Sequence, residues 1–341
     1  MSTLYLVQQN TKIRIRNRRL QVERDPEAQG GGDPEVLLSV PVGQVSQLVL
    51  FGNIGLTTPA IDLLLSQNTE VVFLSQHGEY RGELVSSLTP HVPMRRAQYR
   101  CLENPNQTLA LAKGFVAAKL QHQRALLQRH SREGRSEALD ASLAHLERAL
   151  ESIPQKTGLD SLRGVEGAAT AAYFSAFRTF FASEWKFTDR NRRPPADPVN
   201  VLLSFGYTLL AQAASAAVQT VGLDPFVGFL HEYVYNRPAL ALDVMEEFRP
   251  LVDGVVLWCC RSGQLTPAGD FTPGPAERPI VLGEAGKRRF LQAYQQRMDQ
   301  TFTHPLRGLK LTLRQCMIEQ ARQVADCLLN GAADYKGMGF R

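Results

Sequence analysis

Over the first ninety residues apolar positions recur at every second place or gather in short aliphatic runs, which predicts strands. Ile13 and Ile15 alternate with Lys12, Arg14 and Arg16, the period of a half-buried strand, and residues 4–7 precede them across a Gln-Asn-Thr turn. Residues 36–40, 45–51 and 70–75 are further short runs. Thr58-Pro59 opens a short helix over 60–66, with proline in the first turn, where its missing N–H costs nothing. Residues 25–34 hold three consecutive glycines and read as a flexible loop. No helical pattern follows them, so they are not a phosphate cradle.

From about residue 94 the period lengthens to that of a helix. Residues 108–129 and 136–152 are amphipathic and separated by a charged break near Gly134. Asp197-Pro198 and Asp224-Pro225 each set an N-cap carboxylate before a proline at the first helical position, and Gly222 stands where the first of these helices should end. Asn236 and Pro238 restart a helix that runs to Arg249-Pro250, and residues 263–283 read as an irregular or hairpin insert. The expected fold is α+β: a small β-rich N-terminal domain over 1–90, a linker at 91–97, and a mainly α-helical domain over 98–341. Residues 199–223 carry no charge and are long enough to cross a bilayer. Their polar members, Asn200, Ser204, Thr208, Gln212, Ser215 and Gln219, draw one stripe along a helix, which suits a core helix with a polar seam better than a lipid-facing one.

Composition narrows the function classes. A chain of 341 residues with 44% hydrophobic and 21% charged residues is not disordered, and it has room for about two domains without disulfide or metal staples. Its five cysteines, Cys101, Cys259, Cys260, Cys316 and Cys327, include no C-x-x-C pair, which excludes a zinc-finger framework and points to the reducing cytoplasm. The opening residues lack the apolar stretch of a signal peptide. The net charge of +5 is mild but clustered, at residues 12–24, at Arg95-Arg96, at Arg190, Arg192 and Arg193, at Lys287-Arg288-Arg289, and at Arg307, Lys310 and Arg314. Solvated faces explain about half of these clusters; the others leave room for a polyanion.

The chemistry concentrates in residues 226–250. Asp243, Glu246 and Glu247 fall at i, i+3 and i+4 among Leu240, Leu242, Val244, Met245 and Phe248, so part of an acidic face lies near the core. A buried carboxylate cluster must be paired, protonated or metal-bound. Arg237 or Arg249 would pair it; the alternative is a divalent cation shared with His231. Glu166 lies on a helix rich in Gly164, Gly167, Ala168, Ala169 and Ala172, whose small side chains let another helix approach and leave the acid poorly hydrated; its plain partner is Arg163. Glu166, His231 and Glu246 or Asp243 form a carboxylate–imidazole–carboxylate set suited to Mg²⁺ or Mn²⁺, and with cationic clusters nearby a phosphodiester is the natural substrate.

The segments VSQLVLFGNIGLTTPAIDLLL, RGVEGAATAAYF, DPVNVLLSFGYTLL, GLDPFVGFLHEY, RPALALDVMEEFRPLVD, LTPAGDF and LGEAGKRRF together resemble the CRISPR-associated protein one family of adaptation integrases. The resemblance spans most of the chain; residues 25–34 depart from the family pattern. It implies a homodimer with a β-rich N-terminal domain and a helical catalytic domain. It implies Mg²⁺ or Mn²⁺ held by Glu166, His231 and Glu246, with Asp243 a further catalytic acid, the choice between Asp243 and Glu246 as direct ligand open, and Glu247 structural. The implied activity inserts spacer DNA into a CRISPR repeat by 3′-OH attack on repeat-end phosphodiesters, alongside nuclease activity and with a small ferredoxin-like partner protein. Arg190, Arg192 and Arg193, with Asn200, are then the expected contacts to double-stranded DNA, while Arg14, Arg16, Arg18 and Arg19 serve either DNA or the dimer. A non-catalytic DNA-binding scaffold and a stand-alone repair-type nuclease are the competing readings.

Overall fold

Strands β1 (Ser2–Leu6) and β2 (Thr11–Arg16) are neighbours in sequence yet enter different sheets. β2 pairs antiparallel with β3 (Arg19–Arg24) across Asn17 and Arg18, both at positive φ, the two-residue turn whose twist matches that of the strands. The cations of 12–24 are thus the outward half of a hairpin whose Ile13, Leu20 and Val22 are buried. Buried Glu23 lies at 3.1 Å from Arg14 and 3.8 Å from Arg16, which commits two of those cations to an ion pair. β4 (Val36–Pro41) and β6 (Ile54–Leu56) complete a sheet of order β4-β3-β2-β6 after β5 (Val45–Phe51) has crossed to the other sheet. That second sheet runs β1-β5-β7-β8, with β7 (Glu70–Leu74) and β8 (Tyr80–Leu84); helix α1 (Thr58–Ser66) precedes β7. Residues of both sheets and α1 share one core, including Ile13, Leu48, Leu50, Leu64 and Val71.

The protein is described here by a computed structural model of residues 2–24, 34–86, 91–131, 136–191, 194–232, 234–331 and 335–339. It divides into an N-terminal unit, Met1–Leu88, and a helical unit, Thr89–Arg341. Most of the loop expected at 25–34, the break near Gly134, and Arg192 and Arg193 lie outside the described residues.

The 91–97 linker is instead the start of α2 (Val92–Leu102): Pro93 sits in its first turn, where proline favours initiation, so the Pro-rich signal begins a helix. α3 (Pro105–His130) is capped by the Asn104 side chain, and α4 (Glu137–Ser152) and α5 (Leu159–Phe177) follow. α6 (Pro198–Val221) has Asp197 accepting the Asn200 amide at its start and Gly222 at φ +90° at its end. Among the described residues it is the one helix long and apolar enough to cross a membrane, and it is mostly buried against α7 (Ala239–Arg261) and α10 (Leu313–Asn330). Gly206 permits that approach, since a methyl group there would meet Val252 Cγ1 at 2.5 Å. Asp224-Pro225 starts no helix. Asp224 Oδ1 accepts the Phe226 amide at 2.9 Å, and residues 225–231 run as turns and bends whose amides bind elsewhere. α7 continues through Pro250 rather than ending there, and Asn236, at φ 61°, belongs to the turn before it while Pro238 takes the cap position.

Beyond α7, α8 (Pro267–Asp270) leads into a hairpin of β9 (Phe271–Pro273) and β10 (Ile280–Leu282), as the 263–283 insert predicts. Asp270 accepts the Thr266 amide and pairs with Arg289 of α9 (Glu284–Asp299), so LTPAGDF and GKRRF form one structural joint. A second hairpin, β11 (Thr301–Thr303) and β12 (Lys310–Thr312), precedes α10.

Candidate active site

The site is built on Asp243, one turn into α7. Its Oδ2 accepts the amides of Phe229 and Leu230 at 2.6 and 3.0 Å, and its Oδ1 accepts the His231 amide at 3.0 Å. Gly228 makes this wrapping possible: a Cβ there would lie 2.8 Å from Asp243 Oδ2 and 2.7 Å from the Ala239 backbone. Oδ1 also meets His231 Nδ1 at 2.7 Å. An ionised carboxylate only accepts, so Nδ1 carries the proton, and in the neutral ring Nε2 is left as the acceptor. That Nε2 lies 3.8 Å from Glu246 Oε1. Asp243 is fully buried and its oxygens are taken up by these donors.

Glu246 and Glu166 come together through a residue that the sequence reading passed over. Lys119 of α3, 3% exposed, places its ammonium between them, 2.6 Å from Glu246 Oε2 and in direct contact with Glu166 Oε1. Thr170 donates to the same Glu166 oxygen at 3.0 Å. Arg249 pairs with Glu246 Oε1 at 2.6 Å, the partner expected from sequence, and lies 4.8 Å from the centre of the Tyr207 ring. Burial pushes the Glu246 carboxyl up, but the charges of Arg249 and Lys119 and the Lys119 hydrogen bond oppose it, and the group is held ionised, at about 2. Arg163 does not pair with Glu166; it binds the Leu230 carbonyl and Glu232, and so fastens the 229–232 loop to α5. Gly164 and Gly167 do not mark a helix contact either. Open space lies beside both, and Glu166 keeps 24% of its side chain exposed.

Glu247 points away from this cluster. It accepts from Gln320 Nε2 at 2.8 Å, from the Met338 amide at 2.6 Å and from the Tyr335 hydroxyl, tying α10 and residues 335–338 to α7. Behind Arg249, Asp253 accepts from Tyr173 at 2.8 Å and from Tyr207. Burial pushes its carboxyl up to about 6, with the two tyrosines and Arg249 opposing.

The expected DNA contacts divide. Asn200 is fully buried, bonded to Asp197, to the Asp189 carbonyl and to Arg190, so it has no exposed atom for a phosphate and serves instead to fix the loop before α6. Arg190 points inward too, to Asn200 at 2.7 Å, to Ser204 at 3.1 Å and toward the Tyr207 ring.

Among the described residues no three His, Cys, Asp or Glu side chains surround one point closely enough to hold a metal as they stand. The Lys119 ammonium explains this, because it fills the gap between Glu166 and Glu246 that a cation would occupy. The donors still fit a hard dication: two carboxylates already share a positive charge, one of them firmly ionised, with an imidazole acceptor beside it.

Comparison with known proteins gives the arrangement a family. The model of the family described as CRISPR associated protein Cas1 matches residues 4–296. The chain belongs to the Cas1 family. Two Cas1 relatives from Thermus thermophilus, both named CRISPR-associated endonucleases, are 37% and 38% identical over 90% and 96% of this chain and the same shares of their own. Among solved structures, a casposase bound to integration product has the same fold at TM-score 0.85 and 23% identity, covering 98% of this chain and 93% of that one. A Cas6-RT-Cas1–Cas2 complex is similar at TM-score 0.81 and 26% identity, covering 98% of this chain and 36% of that one. The α+β class expected from sequence is the class of the fold described above, which these structures share.

Proposed function

We propose that this Cas1 chain is a divalent-metal-dependent DNA nuclease and integrase of CRISPR adaptation that inserts spacer DNA into a repeat array. The observation that carries this is the joining of Glu166 and Glu246 through Lys119, with His231 Nε2 3.8 Å from Glu246, on a chain whose α5 leaves open space at Gly164 and Gly167. The Thermus relatives, named endonucleases, support it. Glu166, His231 and Glu246 hold Mg²⁺ or Mn²⁺, which when bound supplies Lewis acidity at the reacting phosphodiester. Asp243 is the orienting acid: it keeps the proton on His231 Nδ1 and turns Nε2 toward Glu246. Arg249 and Lys119 keep Glu246 in its ligating, ionised form. The attacking 3′ oxygen gains a bond to phosphorus as the repeat's own 3′ oxygen loses one, so strand transfer needs no external energy source.

The chain acts in the cytoplasm as a homodimer on double-stranded DNA, with a small ferredoxin-like partner; the Cas1–Cas2 complex among the similar structures supports such a partnership. Replacing Glu166 or His231 by Ala is expected to abolish strand joining while DNA binding survives, and joining retained by either variant overturns the reading. The ion pairs of Glu246 with Lys119 and Arg249 favour one alternative, a scaffold whose acids are simply neutralised. Saturating Mn²⁺ separates the two: it raises the melting temperature of a metal-binding protein and leaves the scaffold's unchanged.

A further inference from the structure

Beyond Lys119 and Glu246, α3 and α7 run on side by side, with His122 Nδ1 at 2.5 Å from the Glu247 carbonyl and His130 Nδ1 at 3.4 Å from Arg261. Between their far halves, the end of α9 and the β11–β12 hairpin lies a cavity of ≈ 1160 Å³. Arg129, Arg261 and Arg297 line it, and no Asp or Glu appears among its described lining residues. Burial pulls the imidazole of His122 down to about 4 and that of His304 below its ordinary value, which works against positive charge on either ring. The permanent positive charge of the lining is that of the arginines.

Arg129 makes no ion pair among the described residues. Arg297 bonds Gln300 and lies 5.0 Å from the centre of the Phe302 ring, again with no carboxylate; burial and the nearby Arg129 lower its affinity for its proton. Each of the three arginines lies in the last turn of its helix, where it offsets the helix dipole. That local effect, worth about 0.3–1 kcal/mol each, requires neither a shared cavity nor mutual repulsion between two guanidiniums. Nor does it account for Trp258, an indole on the same wall that is 49% exposed. Arg129 and Arg297, without an ion pair among the described residues, beside an open aromatic face suit a phosphate ester joined to a planar base.

We infer that this cavity is a nucleotide-binding site, separate from the carboxylate cluster, in which Arg129 and Arg297 take the phosphate and Trp258 stacks on the base. The ligand is either a free nucleotide or an unpaired nucleotide of a DNA strand. The proposal is independent of the function proposed above, and its test needs no metal and no strand joining.

The chain has two tryptophans, and Trp185 is buried, so quenching of indole emission reads Trp258. Thymidine 5′-monophosphate and a short single-stranded oligodeoxythymidine are titrated into the full-length protein in EDTA. Saturable quenching by both probes identifies a site that a free nucleotide fills, and quenching by the oligomer alone assigns it to an unpaired strand. In either case Arg129→Ala and Arg297→Ala are expected to weaken binding roughly tenfold or more, and Trp258→Phe to remove the signal. Arg129 is exposed, so Arg129→Ala carries the test alone if the Arg297 variant does not fold. No saturable quenching by either probe, or unchanged affinity in Arg129→Ala, overturns the assignment.

Discussion

Lys119 is an ammonium enclosed at 3% exposure between two carboxylates, and its removal tests what those carboxylates are for. Lys119→Met keeps the length and apolar stem but leaves Glu166 and Glu246 facing each other with Arg249 as the remaining close cation. Breaking a buried pair on one side costs about 3–5 kcal/mol, so the variant's melting temperature without metal falls by many degrees. Mn²⁺ should restore most of that loss and raise the variant's melting temperature more than the parent's. If the variant melts low and Mn²⁺ restores nothing, Lys119 is a plain structural counter-ion and the metal reading fails with it. The acids of the site were legible in the sequence because Asp243 and Glu246 stand among large apolar residues where charge is out of place. Lys119 was legible in principle, since it falls on the buried stripe that runs through Ala112, Phe115, Val116 and Gln123. One lysine within a long amphipathic helix looks like a solvated face unless the stripe is followed residue by residue. Asn200 misled for the opposite reason: a polar seam on an apolar helix gives no sign whether water, DNA or a neighbouring loop satisfies it.

The element that organises the site is α7, and its unusual feature is Pro250 in mid-helix, one residue after Arg249. The missing N–H withdraws the normal donor from the Glu246 carbonyl, and the ring crowds the preceding turn. His122 meets the next carbonyl, that of Glu247. Pro250→Ala restores a helical N–H and removes a residue costing up to about 3 kcal/mol in a helix interior, so the variant should melt higher. Relaxing the turn that carries Glu246 and Arg249 should also move both away from Lys119 and His231, with strand joining expected to fall at least about tenfold. A variant both more stable and fully active shows that the proline has no part in setting the site. At this scale α1, α3, α4 and α6 were readable from period and caps. The Asp224-Pro225 signal failed because tertiary structure outbid it: the amides of Phe229, Leu230 and His231, which would have continued a helix into its second turn, bind Asp243. β3 was hidden because its alternation, Leu20 and Val22 inward, is short and masked by the polar Arg19, Gln21 and Glu23 that alternate with them.

At the scale of the whole chain, carboxyls raised by burial and a carboxyl lowered by cations act on stability in opposite directions. Glu70 bridges β5 and β8, with Gln47 donating to it at 2.8 Å, and burial together with Glu83 pushes its carboxyl from 4.5 up to about 7. Between those values the folded N-terminal unit holds more protons than the unfolded chain, so stability falls as pH rises through the window. Asp253, raised to about 6, acts in the same direction in the helical unit. Glu246, lowered to about 2, acts in the other: its contribution is complete above pH 4.5 and is lost as pH falls toward 2. In the N-terminal unit stability should therefore decline from pH 5 to pH 8, whereas in the helical unit His122, pulled down to about 4 by burial, opposes Asp253. Glu70→Gln isolates the N-terminal share, because the Gln oxygen still accepts from Gln47 and nothing remains to ionise. Its gain at pH 8 is at most about 3 kcal/mol, less for a partly exposed group, and at pH 5 it shrinks to a small fraction of that. Since Gln47 and Glu83 lie in the same unit, calorimetry should show the N-terminal transition rising at pH 8 while the helical transition stays in place. An equal rise at pH 5 would assign the gain to packing rather than to the carboxyl, and no rise at pH 8 would mean that Glu70 is not held protonated by its burial.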